Sequence, residues 1–377
     1  MALPGRRTRR GYRPRAARRA WRDPDRAGSV LRVSGAVSGV PESMRCSVLR
    51  AAGELEVQQR AVPRPAPGEV LVRVGAVGTC GSDVHYFTHG RIGQFVVREP
   101  LVLGHEPSGR VVAVGTGVEA SRIGQRVSIE PGVPCRRCRY CHRGEYNLCP
   151  DIAFFATPPV DGAFSEYVTI ADDFAHPVPD SVSDDAAALL EPLSVAIWAN
   201  RKAGTGLGSR VLVAGAGPIG LLVAQVARVL GAAQVVVTDL DARRRASALE
   251  HGATDVLDPR DGDPAGRGVD ADVFVDCSGA PAAVTAGIGA VRAGGTVVLV
   301  GMGADEMTLP VASLQSREIT LTGTFRYADT WPTAVELAAS GAVDLDRLVT
   351  AHVDLDHVGD ALSPDPAAAH IKIVVTP

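Results

Sequence analysis

The 377-residue sequence has no internal repeat and no apolar run approaching the roughly 20 residues that a membrane-spanning helix requires. It has only seven cysteines, four of them crowded into one short stretch, and so lacks the evenly cross-linked framework of a small secreted protein. These absences point to a soluble protein of a reducing cytoplasm with no membrane partner. Strong net charge is lacking too, at −3, but the balance is uneven. Residues 1–43 hold eleven arginines against Asp23, Asp25 and Glu42, a balance of +8 that leaves −11 for the rest. An arginine-rich, acid-poor leader admits a targeting peptide, a nucleic-acid arm or a disordered extension. The last is expected, because M-R-C-S-V-L-R from Met44 begins like a first strand, and the acidic remainder argues against nucleic acid as a partner.

The length predicts about two domains, and 46% hydrophobic residues suffice to bury both. From Met44 short β-rich runs recur between glycines and prolines: Val48–Arg50, Glu69–Val74, Gly109–Gly115 and Arg126–Glu130. The texture changes near Ser194. From Arg210 strands alternate with helices predicted over Pro218–Leu230 and Ala242–His251, with further strands at Gln234–Thr238, Asp272–Asp276, Thr296–Val300 and Glu318–Thr322. The expected fold class is therefore α/β, with a doubly wound parallel sheet following a β-rich, barrel-like unit. The final run Ile371–Thr376 is a strand free to pair back onto the N-terminal unit, which would make that domain discontinuous.

What is present in place of a disulfide framework is C-x2-C-x2-C-x7-C, formed by Cys135, Cys138, Cys141 and Cys149. Four thiolates at this spacing suit a closed tetrahedral zinc site with no open position for a substrate. A ferredoxin cluster is the rival, since Cys149 precedes a proline, but its fourth spacing differs and no second cluster motif exists. His142 is expected on the lobe surface. The sequence Gly215-Ala216-Gly217-Pro218-Ile219-Gly220 sits between an apolar strand and a helix, the context in which G-x-G-x-x-G binds a dinucleotide. Asp239 follows at the end of the next strand, placed to accept a hydrogen bond from a ribose 2′-hydroxyl, which favours NAD. Of the nearby Arg243, Arg244 and Arg245, Arg244 is expected nearest the adenosine end. A thiolate, an imidazole and a carboxylate for a second, open zinc site occur in G-T-C-G-S-D-V-H (Cys80) and V-L-G-H-E-P (His105, Glu106). His105 and Glu106 can share a metal only if the chain bends, as Gly104 and Pro107 allow; Glu191 competes as third ligand or holds the zinc-bound water. Asp83 is expected to accept a hydrogen bond from the far nitrogen of His105. Cys46 and Cys277 are expected as buried thiols.

These motifs, with G-T-C-G-S-D-V-H-Y-F-T-H-G-R-I-G, A-T-P-P-V-D-G-A-F, L-L-E-P-L-S-V and G-T-F-R-Y-A-D-T-W-P, resemble the zinc-containing medium-chain dehydrogenases, sorbitol (L-iditol) and xylitol dehydrogenase group, over residues 44–377. The resemblance implies a discontinuous GroES-like catalytic domain (44–195 and 330–377), a Rossmann domain (196–329) and a homotetramer. It implies two zinc ions per subunit, catalytic at Cys80, His105 and Glu106 and structural at the four-cysteine lobe, with Glu191 on the zinc-bound water. Tyr86, Phe154, Thr157, Glu191, Arg326 and Tyr327 would line a polyol pocket, and Gly301 and Arg326 would complete the cofactor set. The implied reaction oxidises a secondary alcohol of a sugar alcohol to a ketose with NAD+, Ser82 and His85 relaying the proton. The alternatives are threonine, butanediol, glucose or galactitol on the same scaffold, or a non-catalytic NAD-binding protein. Residues 1–43 have no counterpart in the family, and Ala361–Lys372 is short and proline-broken where a longer helix is usual.

Overall fold

The computed structural model describes residues 39–363 and 370–377. The expected disordered leader lies outside the described residues up to position 38. The fold is under way by Glu42, whose carbonyl accepts from the Val62 amide at 3.0 Å. Strand Ser43–Ala51 follows, with Met44 and the run Cys46–Leu49 buried, so that its central residues are covered on both faces. It pairs antiparallel with Glu54–Ala61 and with the short strand Leu101–Val102.

The N-terminal unit is built round Glu69–Gly78, whose Val70, Leu71, Val72, Val74, Ala76 and Val77 are all buried. Its seven-stranded sheet runs Ala175–Pro177, Arg126–Ile129, Glu106–Val114, Glu69–Gly78, Lys372–Val375, Val349–Val353, with Tyr167–Ala171 also paired to Glu69–Gly78. The C-terminal strand thus hydrogen-bonds antiparallel to a strand nearly 300 positions earlier, Val374 opposite Gly78. Helix Val358–Leu362 precedes it, and residues 364–369, the centre of the proline-broken segment, lie outside the described residues.

The second unit is a six-stranded all-parallel sheet ordered Asp255–Leu257, Gln234–Thr238, Arg210–Ala214, Ala271–Asp276, Val291–Leu299, Thr320–Gly323. Its central strands are near-continuous apolar runs because helices cover both faces. Helix Pro218–Val229 opens with proline in its first turn, where a missing amide costs no hydrogen bond, and Ala242–Glu250 follows Asp241, whose carboxylate accepts from Arg243 N. A helix not anticipated from pattern, Leu190–Ala203, joins the two units; it is buried over Leu190–Ser194 and carries Glu191 at its start.

Candidate active site and metal centres

The four-cysteine lobe folds as two short 3₁₀ turns, Cys141–Arg143 and Tyr146–Leu148. Its four sulfurs lie within 4.8 Å of one another. Sγ of Cys141 is 4.0 Å from that of Cys135 and 3.5 Å from that of Cys138. A tetrahedron with metal–sulfur bonds of about 2.3 Å has edges of about 3.8 Å, so the sulfur spacing fits zinc. Backbone amides are spent on the sulfurs as well: Cys135 N donates to Cys149 Sγ at 3.3 Å. His142 is exposed and is not among the converging ligand atoms.

The second constellation depends on a bend. Gly104 has φ +84°, and a Cβ there would stand 2.7 Å from the Phe164 ring, so only glycine fits. The turn leaves His105 in the loop and starts the strand at Glu106, which lets adjacent side chains converge with Cys80. Ligand atoms of Cys80, His105 and Glu106 lie within 4.8 Å of one another, His105 and Glu106 buried and Cys80 partly so. One soft thiolate, one imidazole and one carboxylate, three ligands and not four, is a donor set suited to a catalytic zinc.

Asp83 behaves differently from expectation. Its fully buried carboxylate accepts from the Cys80 amide and from the Gly104 amide, each at 3.0 Å, while His105 Nδ1 stands at 3.6 Å, beyond hydrogen-bond reach. Asp83 therefore ties the Cys80 amide at the helix start to the Gly104 amide in the neighbouring loop. Burial opposes a charge on His105, but the Asp83 carboxylate and the Cys80 thiol together outweigh it and raise the imidazole's proton affinity.

Lys372, which the sequence reading passed over, completes the centre. Only 3% exposed, it donates to Glu106 Oε1 at 2.7 Å and to the Thr79 carbonyl at 2.6 Å. Burial pushes the Glu106 carboxyl up, an effect that Lys372 partly offsets. The signal was legible: a lysine in I-K-I-V-V is a charge in an apolar strand, which is buried only when paired.

Phe154, Thr157, Glu191, Arg326 and Tyr327 form a connected group beside this centre. The Phe154 ring centroid is 5.9 Å from that of His105, and the Arg326 guanidinium lies 3.8 Å over Phe154 while its Nη2 reaches Thr157 Oγ1 at 3.4 Å. Burial lowers Arg326 to about 10. Tyr327 Oη donates to Glu191 Oε1 at 2.7 Å, and burial raises the Glu191 carboxyl to about 7. Glu191 thus faces Tyr327 and stands outside the converged trio. Tyr86 is 4% exposed, its phenol pushed up by burial to about 12. Ser82 and His85 are half-buried on helix Gly81–His89, and His85 faces a groove of about 390 Å³ shared with Met302, Gly303 and Asp305.

At the glycine turn, Gly215 has φ +93°, a Cβ on Gly220 would meet Gly215 O at 1.8 Å, and one on Gly217 would meet nothing within 4 Å. The turn, the helix–strand contact and an open backbone face are the three features a pyrophosphate cradle needs. Asp239 Oδ2 accepts from Ala216 N at 2.8 Å, fastening the acid to that turn. Gly301 donates its amide to Asp276 O, and a Cβ on it would stand 2.2 Å from Gly279 N. Arg243 pairs with Asp241 and Arg245 with Asp258, whereas Arg244 is exposed and has no such partner among the described residues. Cys46 is buried, but Cys277 is partly exposed at the end of its strand against the Gly215 turn, because the strand stops at Asp276.

Residues 66–180 match the alcohol dehydrogenase GroES-like domain family and residues 218–340 the zinc-binding dehydrogenase family. The chain is 45% identical over 336 residues to sorbitol dehydrogenase of Gallus gallus, covering 87% of this chain and 95% of that protein. It superposes with a TM-score of 0.83 at 29% identity on an Escherichia coli alcohol dehydrogenase complexed with the cofactor NADH, covering 89% of this chain and all of that one. L-idonate 5-dehydrogenase from Escherichia coli gives a TM-score of 0.84 at 32% identity, covering 89% and 98%.

Proposed function

Because the chain belongs to the zinc-binding dehydrogenases with a GroES-like domain, we propose that it oxidises a secondary alcohol of a sugar alcohol, of the sorbitol, L-iditol or xylitol type, to a ketose with NAD+. The observation that carries this reading is the convergence of Cys80, His105 and Glu106 beside the polar-aromatic group Tyr86, Phe154, Arg326 and Tyr327. Residues 44–195 with 330–377 would form the catalytic domain and 196–329 the cofactor domain. A cytoplasmic homotetramer without nucleic-acid or membrane partners belongs to the same proposal; no helix among the described residues is long and apolar enough to cross a membrane.

Zinc held by Cys80, His105 and Glu106 would supply Lewis acidity to the reacting hydroxyl, and NAD+ on the Gly215–Gly220 turn would accept the hydride. Arg326 and Tyr327 fix the polyol's neighbouring hydroxyls, the guanidinium offering Nη1, which is buried without a hydrogen-bond partner among the described residues. Phe154 and Tyr86 exclude water from the reacting carbon. Ser82 and His85, half-buried on their helix, pass the hydroxyl proton to solvent, so that one proton and one hydride leave per ketose formed. In the four-cysteine lobe a second zinc would act structurally.

A panel of sorbitol, xylitol, ribitol, galactitol, L-iditol, threonine and butanediol with NAD+ and NADP+, followed at the nicotinamide absorbance, tests the reading. The expected result is turnover of a pentitol or hexitol with NAD+ that Cys80→Ser abolishes, along with about one zinc per subunit. Turnover of threonine or butanediol alone would move the substrate class, and full activity in Cys80→Ser would refute the catalytic assignment.

A further inference from the structure

Two side chains of the four-cysteine lobe reach the segment Phe325–Asp329. The 3₁₀ turn Tyr146–Leu148 lies in the x7 spacer immediately before Cys149. Asn147, 4% exposed, donates Nδ2 to the Phe325 carbonyl at 2.9 Å, and Tyr146 Oη accepts from the Asp329 amide at 2.8 Å. The hydroxyl has no freedom to do otherwise: it donates to Glu130 Oε1 at 2.7 Å, and Glu130 is itself buried with its other oxygen 3.0 Å from His176 Nε2. A phenol has one proton, so a lone pair must face Asp329.

The segment held at its two ends, Phe325–Asp329, carries Arg326 and Tyr327. Arg326 has φ +54° and Asp329 φ +53°, left-handed conformations that non-glycine residues keep only when their surroundings over-determine them. The lobe supplies one tie before Arg326 and one after Tyr327; Arg201 Nη1 adds a third, to the Asp329 carbonyl at 2.7 Å. Between the ties the guanidinium is laid over Phe154 and the Tyr327 hydroxyl is directed at Glu191.

We propose that Tyr146 and Asn147 are positioning residues for the substrate pocket, through which the four-cysteine lobe holds Arg326 and Tyr327 in their working geometry. The proposal rests on the polyol-pocket reading above. It gives the lobe a part in substrate orientation in addition to a part in folding, and it locates that part in the spacer, not in the sulfurs. Tyr146→Phe removes one oxygen atom, and Asn147→Asp exchanges a donor for an acceptor at nearly constant volume.

Each zinc-loaded variant is to be compared with the parent in three ways: steady-state kinetics, zinc per subunit, and hydrogen–deuterium exchange of the Arg326–Asp329 amides. Loss of one tie should raise KM for the polyol about tenfold, the equivalent of one net hydrogen bond, with kcat within about twofold, KM for NAD+ unchanged and two zinc ions retained. The Asp329 amide should exchange faster in both. An unchanged polyol KM in a folded Tyr146→Phe protein overturns the proposal, as does an equal rise in both KM values or a loss of zinc, which would mark a general structural role. Should Asn147→Asp fail to fold, Tyr146→Phe decides. A parent enzyme inactive on every polyol would sink the functional reading and the pocket role with it, and the exchange data would then still tell whether the loop is tied to the lobe.

Discussion

At the residue scale the centre turns on one buried cation. Lys372 and Glu106 are both nearly inaccessible, so each needs the other: a charge stripped of water is tolerated only against a partner of opposite sign. Lys372→Met should cost about 3–5 kcal/mol in denaturant unfolding of the zinc-stripped protein, because it leaves the Glu106 carboxylate buried and uncompensated. Unchanged unfolding would mean that the pair contributes nothing to the fold. The three candidate ligands themselves were legible as residue types, thiolate, imidazole and carboxylate near flexible glycines. Lys372 was passed over because its partner stands 266 positions away, and periodicity marks it only as an odd polar residue in a strand.

At the element scale, legibility follows sequence distance. The strand Arg210–Ala214, the glycine turn and helix Pro218–Val229 are contiguous, and their roles are written in local chemistry: apolar run, glycines, proline at the helix start. The acid at the end of the next strand belongs to the same unit, with Asp239 Oδ1 accepting from Asp241 N at 2.8 Å and Oδ2 from Ala216 N. Asp239 thus braces the turn beside which the ribose is proposed to bind. Asp239→Ser should weaken NAD+ about ten- to a hundredfold, the loss of one hydrogen bond to a charged acceptor, and move preference towards NADP+. Parallel titrations of both cofactors by fluorescence check this, and an unaltered ratio would show that Asp239 does not select. Helix Gly81–His89 forms because Asp83 accepts from the Cys80 amide at its start while fastening the loop at Gly104.

At the scale of the whole molecule, the C-terminal strand joins everything. Side chains alternate across a strand, and here Val374 enters the core of the parallel-sheet unit while its neighbour Val375 enters that of the N-terminal unit, both fully buried. Lys372, on the same strand, braces Glu106. A chain ending at His370 should therefore lose cooperative unfolding by calorimetry and retain less zinc; a melting temperature equal to that of the full chain would remove the strand from any such role. From the sequence alone came the α/β class, the glycine turn with its acid, the four-cysteine spacing and the ligand types at Cys80, His105 and Glu106, since each is local and set by backbone conformation and side-chain chemistry. Only the tertiary structure decided that Asp83 bonds amides and not His105, that Lys372 meets Glu106, and that Tyr146 and Asn147 grip the loop of Arg326 and Tyr327. Those are meetings of residues far apart in the chain, and packing, not spacing, determines which buried polar group finds which partner.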